Sequence, residues 1–231
     1  IAPRIEDRGI DEIYIDLSDV PGAQDGTPAD PHAGVRALGR RLKQCVTEAT
    51  GLTCSVGITP NKLLSKLCSD LEKPDGLTLL TAADIPARIW PLPAKRINGI
   101  GPKANARLEA LGIQTIGDLA AAEPTWLMEH FGANYGGWLH AAACGRDDHE
   151  VVTYREPKSL SRETTFERDL HPRADRAALG ALLTQLCKQV AADLLRKGFV
   201  ARNIGVKLRY DDFKIVTRAV SLPTHTADAA D

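Results

Sequence analysis

From Ile10 to Leu17 apolar and polar residues alternate, with Ile13, Ile15 and Leu17 on one side and Tyr14 and Asp16 on the other, which predicts a half-buried strand. Pro21 to Pro31, rich in Gly, Asp and Thr, predicts a loop. Val35, Leu38, Leu42, Cys45 and Val46 then recur at helical spacing, and Gly51 ends that helix. Leu52 to Ile58 is β-rich, and Thr59-Pro60-Asn61 turns the chain into a second helix through Leu64, Leu67, Cys68 and Leu71. That helix stops before Lys73-Pro74-Asp75-Gly76, because the ring of Pro74 disfavours helical geometry at Lys73. Leu77 to Leu80 predicts a further strand, so the order strand, helix, strand, helix, strand describes a compact α/β unit.

Beyond Ala82 the pattern shortens to small helices separated by glycines, up to about Gly145, and the charged, proline-bearing stretch Val151 to Ser159 predicts a linker. Leu160 to Phe166 then predicts a strand, Ala174 to Lys197 a long amphipathic helix, and Ala201 to Tyr210 and Lys214 to Leu222 two strands around Asp211-Asp212. One helix and three strands leave an open sheet with an uncovered edge, and Thr224 to Asp231 is expected to fray. The expected fold class is α+β in several modules: a mixed α/β unit over 1–80, a helical unit over 81–150, a linker over 151–158 and a last α/β sheet unit over 159–231.

Composition narrows the function. A chain of 231 residues, 43% hydrophobic, can bury one large core or two to three small ones. The net charge of -1 excludes a uniformly basic surface, yet Lys+Arg against Asp+Glu runs 9 to 12 over residues 1–80, 6 to 8 over 81–154 and 14 to 10 over 155–231. Positive charge is therefore concentrated in the C-terminal third, where nucleic acid would be met. Five cysteines without C-x-x-C spacing point to neither a disulfide framework nor zinc, which fits a reducing cytoplasm. No apolar run is long enough to span a bilayer and no signal pattern opens the chain, so no membrane partner is expected. The chain begins at Ile1 rather than Met, as a fragment or processed product would.

Asp11 and Glu12 open the first strand, and adjacent carboxylates are the ligand type that two-metal phosphoryl transfer needs. Neighbours on a regular strand point to opposite faces, so both reach one site only if the backbone bends, which Gly9 permits. An isolated Asp-Glu pair is otherwise a solvated strand edge. Lys62 and Lys66 lie one turn apart on the helix after Pro60, and Lys73 sits in the Pro-Asp-Gly loop where a lysine can meet a triphosphate as a point charge; the plainer reading is a charged surface helix followed by a turn.

Ile97-Asn98-Gly99-Ile100-Gly101-Pro102-Lys103, followed by Ala104 to Leu111, has the form of a helix-hairpin-helix. Gly99 and Gly101 let backbone approach closely, N–H groups at the next helix start can receive a phosphate oxygen, and Lys103 and Arg107 add charge there. An ordinary αα-hairpin is the alternative. Thr115 is a reasonable N-cap for the helix beyond. In the C-terminal third Arg202, Lys207 and Arg209 share a strand region, and Ser159 and Arg162 flank another; they suit backbone contacts to DNA, or else form a charged solvated face. The six scattered histidines form no metal spacing, and Trp90, Trp126, Trp138 and Phe131 fall at core positions of the helical region.

The ordered segments IDEIYIDL, GLTCSVGITPNKLLSKLCSDLEKPDG, INGIGPKANARLEALGIQTIGDL and KSLSRETTF resemble the Y-family, or translesion, DNA polymerases in their bacterial DinB type, across nearly the whole chain. The resemblance implies a partial palm over 1–80, a thumb with a helix-hairpin-helix over 81–150 and an incomplete little finger beyond the linker. It implies a DNA-directed DNA polymerase in which Asp11 and Glu12 are catalytic ligands of two Mg²⁺ ions and Lys73 contacts the triphosphate of a deoxynucleoside triphosphate. Primer-template DNA is the implied partner of a monomer, with a sliding clamp as a further family partner. By the same resemblance the first metal-binding Asp, the aromatic sugar-discriminating residue and the fingers belong upstream of Ile1, so the chain alone is expected to be inactive. Gly9 stands where many members have Ser and Ser161 where many have Gly, and the last strand of the little finger and the usual clamp-binding peptide are missing. The alternative is a non-catalytic DNA-binding paralogue or scaffold.

Overall fold

The computed structural model describes residues 4–229, which fall into two compact units meeting between Arg155 and Glu156, inside the expected linker. In the first unit, β1 (Arg4–Asp7) and β2 (Ile13–Asp16) form an antiparallel hairpin with Glu6 opposite Tyr14 and Asp7 opposite Ile13. The strand expected over 10–17 is thus shorter, because Ile10 to Glu12 belong to the turn: the Arg8 N–H donates to the Glu12 carbonyl at 3.0 Å and Gly9 takes φ 139°. The two faces are also less distinct than the alternation suggests, since Ile15 and Leu17 are half-buried as Tyr14 and Asp16 are. Ile5 and Ile13 point to solvent, while Glu6 is buried and Tyr14 half-buried, because lysines of a neighbouring helix neutralise the polar face.

Helix α1 (Ala33–Thr50), closed by left-handed Gly51 as expected, lies against the parallel pair β3 (Val56–Ile58) and β4 (Leu77–Leu79). Strands β1–β2 and β3–β4 remain separate two-stranded sheets rather than one. Between β3 and β4 runs α2 (Lys62–Ser69), whose N-cap Asn61 accepts from the Leu64 N–H at 3.0 Å. A second, distant cap comes from Asp147, whose carboxylate accepts from the Leu63 N–H at 3.1 Å. Leu64, Leu67 and Cys68 of α2 are buried, and their core continues through Ile85, Ile89, Ile97, Leu108, Ile116, Leu127 and Leu139. Each such leucine or isoleucine contributes about 1.5–3 kcal/mol of apolar burial, which fixes α2 from below and leaves its lysine face outward.

The short helices expected after Ala82 are present: α3 (Ile85–Arg88), α4 (Pro102–Ala110), α5 (Ile116–Ala121), α6 (Pro124–Phe131) and α7 (Ala133–Ala143). Thr115 caps α5 as expected, in a reciprocal box with Asp118.

The second unit holds α8 (Arg176–Lys197) and the antiparallel pair β5 (Ala201–Arg209) and β6 (Ile215–Thr226). Leu160 to Phe166 is not a strand: β5 and β6 pair only with each other among the described residues, and without a ladder partner the segment stays irregular. Strand β6 runs to Thr226, opposite Ala201, so fraying does not begin at Thr224, and the expectation for Ala230 and Asp231 lies outside the described residues. Among the described residues no helix is long and apolar enough to cross a membrane.

Candidate active site and nucleic-acid surface

Lys62 and Lys66, one turn apart on α2, each hold a carboxylate of the β1–β2 hairpin. Lys62 Nζ donates to Glu6 Oε2 at 2.6 Å and to the Glu150 carbonyl at 2.6 Å, and lies 5.5 Å over the Tyr14 ring. Glu6 is 2% exposed and also accepts from the Val152 N–H at 3.0 Å, with Arg155 at 3.2 Å and Arg8 at 3.4 Å. Burial pushes its pKa up, but the hydrogen bonds from Lys62 and Val152 and the charges of Lys62 and Arg155 outweigh that and hold it below its ordinary value. Glu6 could not be singled out from the sequence, because Arg4-Ile5-Glu6-Asp7 carries one apolar residue and its partners reach as far along the chain as Val152 and Arg155.

Lys66 Nζ donates to the Glu12 carboxylate, and this hydrogen bond, against partial burial, raises the lysine pKa. Asp11 is exposed and makes no hydrogen bond or ion pair among the described residues. At the far end of α2, Lys73 Nζ meets Asp70 at 2.5 Å, and the Asp70 pKa is lowered by the Lys73 hydrogen bond and the charges of Lys73, Lys66 and Arg96. Two separate ion pairs, Glu12–Lys66 and Asp70–Lys73, therefore stand along α2 and the turn that follows it, with the Lys66 charge also felt by Asp70, while Asp11 takes part in neither. The loop itself is fixed by Lys43, whose Nζ donates to the Cys54 carbonyl at 2.7 Å, to the Asp75 carbonyl at 2.7 Å and to the Asp75 carboxylate.

Two adjacent carboxylates are hard oxygen donors of the kind Mg²⁺ takes, and the Lys66 ammonium already stands as a cation on one of them. The donor chemistry fits a metal, although the described residues gather no cluster of three or more His, Cys, Asp or Glu there.

Gly99 and Gly101 divide their work. Gly99 takes φ 111°, and a Cβ there would lie 2.6 Å from the Trp138 ring, while its carbonyl accepts from the Tyr135 hydroxyl at 2.9 Å. Tyr135 stacks on Trp138 at 5.3 Å, so the aromatic face of α7 buttresses the turn, in keeping with a packing role for Trp138. Gly101, the N-cap of α4, has nothing within 4 Å of its would-be Cβ, and Pro102 opens the helix. The α4 start is thus an open surface of backbone N–H groups. Lys103 is exposed without a partner among the described residues, and Arg107 lies 5.1 Å over the Phe131 ring. A single 3-10 turn, Ala94–Arg96, precedes the hairpin where the motif would have its first helix.

In the second unit Arg162 is held by Asp193 at 2.6 Å, Lys207 lies 4.0 Å from Glu163, Arg202 Nε donates to the Leu222 carbonyl at 2.9 Å, and Arg209 lies 5.5 Å over the Phe213 ring. Lys207 and Arg209 face the same way on β5, opposite Thr217 and Ile215, and Ser159 is exposed. All of these cations remain open to solvent, and only Arg162 is committed to a strong internal pair.

The sequence pattern of the impB/mucB/samB family matches residues 1–70, and that of the same family's C-terminal domain matches residues 157–231. A protein named DNA polymerase IV from Methanoculleus marisnigri is 41% identical over 227 residues, covering 98% of this chain and 59% of the relative. Its namesake from Halorhodospira halophila is 41% identical over 230 residues, covering 100% of this chain and 61% of the relative. A solved Y-family DNA polymerase chimera, Dbh-Dpo4(243-245)-Dbh, shares the fold with a TM-score of 0.79 at 24% identity, over 99% of this chain and 63% of the chimera. The chain spans about three fifths of the length of these proteins.

Proposed function

The chain belongs to the impB/mucB/samB family and is a homologue of the Y-family DNA polymerase IV proteins, and from this we propose that it serves in an error-prone, template-directed DNA polymerase that copies past lesions. The observation that carries the proposal is that α2 and the turn after it hold Lys66 on Glu12 and Lys73 on Asp70, two exchangeable lysine–carboxylate pairs on one element. In this reading Asp11 and Glu12 would hold Mg²⁺, which when bound would neutralise phosphate charge and favour loss of the proton from the attacking 3′-hydroxyl to give the alkoxide. Lys73 leaves Asp70 for the triphosphate of the incoming deoxynucleotide and holds it as the primer 3′-hydroxyl attacks the α-phosphate and pyrophosphate departs. Most of the rate gain comes from positioning and charge neutralisation by these side chains.

Duplex DNA is gripped without base reading. The Gly99–Gly101 turn and α4 act as a helix-hairpin-helix, with backbone N–H groups receiving a phosphate and Lys103 and Arg107 adding charge. Ser159, Arg162, Arg202, Lys207 and Arg209 contact the backbone from the second unit, in the role of a little finger, while the first unit supplies palm and thumb. A two-metal site needs more carboxylates than Asp11 and Glu12 supply, and in this reading the 231-residue chain alone incorporates little or nothing. The complete protein works as a monomer in a reducing cytoplasm, with a sliding clamp as a candidate partner.

The test is primer extension with Mg²⁺ and four deoxynucleotides by the product of the complete reading frame, beside its Asp11→Ala variant. Extension lost in the variant supports the proposal. Tight primer-template binding without extension by either supports the non-catalytic scaffold instead, a reading in which Lys66 occupies Glu12 permanently.

A further inference from the structure

We propose that Lys66 is a positioning residue which holds Glu12 in the metal-free protein and competes with the divalent cation for that carboxylate. The inference rests on the reading of Asp11 and Glu12 as metal ligands and deepens it.

The hairpin is fixed against α2 at one end and loose at the other. At the fixed end the Glu6–Lys62 pair is closed in by the Val152 N–H, the Glu150 carbonyl, Arg155 and Arg8, with side-chain exposures of 2% for Glu6 and 13% for Lys62. That lock sets the register of β1–β2 along the helix, and one turn further on Lys66 falls opposite Glu12. At this second end the exposures rise to 46% for Glu12 and 23% for Lys66. Lys66 donates to no backbone carbonyl among the described residues, whereas Lys62 does. An ion pair so open to water is weak and readily exchanged.

The two carboxylates of the turn are therefore unequal: Asp11 stands free and Glu12 is occupied. A cation arriving at Asp11 must take Glu12 from an ammonium group. The released ammonium has a destination one turn along α2 in Asp70, which is shared with Lys73. Binding of a triphosphate by Lys73 would leave Asp70 open to Lys66, so nucleotide and metal would favour each other's arrival through these two pairs.

The direct test is Mn²⁺ binding to the full 231-residue chain without nucleotide, followed by electron paramagnetic resonance, in the wild type and in Lys66→Met, Lys66→Arg, Asp11→Asn and Glu12→Gln. Circular dichroism would verify that each variant is folded. Lys66→Met is expected to lower the Mn²⁺ Kd about two- to fivefold, the scale of one partly exposed ion pair. Lys66→Arg keeps the wild-type Kd, and adding Glu12→Gln to Lys66→Met cancels the gain. A folded Lys66→Met that binds Mn²⁺ no more tightly, while Asp11→Asn and Glu12→Gln still weaken binding, overturns the competition and leaves the metal reading standing. Mn²⁺ binding indifferent to both Asp11→Asn and Glu12→Gln removes the metal reading, and the competition with it.

Discussion

Lys62 of α2 bonds at 2.6 Å to Glu6 of β1, 56 positions earlier in the chain, and the pair is among the most enclosed charges of the first unit. Glu6 receives Lys62, Arg155, Arg8 and a backbone N–H, so its loss would leave several cations without a counter-charge. Glu6→Gln is expected to destabilise the first unit by about 3 kcal/mol, as breaking a buried pair does, measured by urea denaturation. The same group sets a pH dependence. Its folded pKa lies below the ordinary 4.5, so its stabilisation is complete above 4.5 and is lost as pH falls through the depressed value. The stability gap between wild type and Glu6→Gln should be flat near neutrality and close in acid.

Local chemistry made much of this fold legible. Thr115 read as a cap because a side-chain oxygen three residues before an N–H needs no distant partner, and Thr59-Pro60-Asn61 read as the turn that opens α2. Gly51 ended α1 and the Asp211-Asp212 turn placed β5 and β6 for equally local reasons. Glu6 and β1 were not legible, since one apolar residue gives no period and the partners arrive from Lys62, Val152 and Arg155. Ile13 and Ile15 suggested a buried apolar face, but alternation shows only that two faces differ, not which one meets protein. Leu160 to Phe166 failed as a strand because pairing is a tertiary event that composition cannot guarantee. Of the candidate site, the residue types at Asp11, Glu12 and Lys73 were legible, whereas the pairing of Glu12 with Lys66 and of Lys73 with Asp70 needed the geometry.

The hairpin glycines should separate by experiment. Gly99→Ala meets both an unfavourable φ of 111° and the Trp138 ring, and should cost about 1–3 kcal/mol in thermal or chemical denaturation. Gly101→Ala, with φ -77° and open space, should change stability by no more than about 0.5 kcal/mol. If backbone approach to phosphate is what Gly101 serves, duplex affinity falls in this stable variant. An unchanged affinity would reduce the segment to an ordinary turn.

Salt dependence distinguishes phosphate contacts from surface charge. Lys103→Ala, Lys207→Ala and Arg209→Ala should each weaken duplex binding equally across sequences and reduce the slope of log K against log salt by about 1. Arg162→Ala should also cost stability, because Asp193 then keeps only Arg196.

The carboxylate pair is proposed to serve nucleotidyl transfer rather than to hold the hairpin together. Asp11 bonds to nothing among the described residues, so its substitution separates catalysis from structure. The decisive measurement is single-turnover incorporation of one deoxynucleotide by the complete reading-frame product carrying Asp11→Asn, with primer-template affinity determined on the same sample. A fall in rate of about a thousandfold or more is expected, with DNA affinity and folding preserved, as loss of a charge-stabilising group at the reacting centre requires. Incorporation at the wild-type rate by a folded Asp11→Asn protein would contradict it.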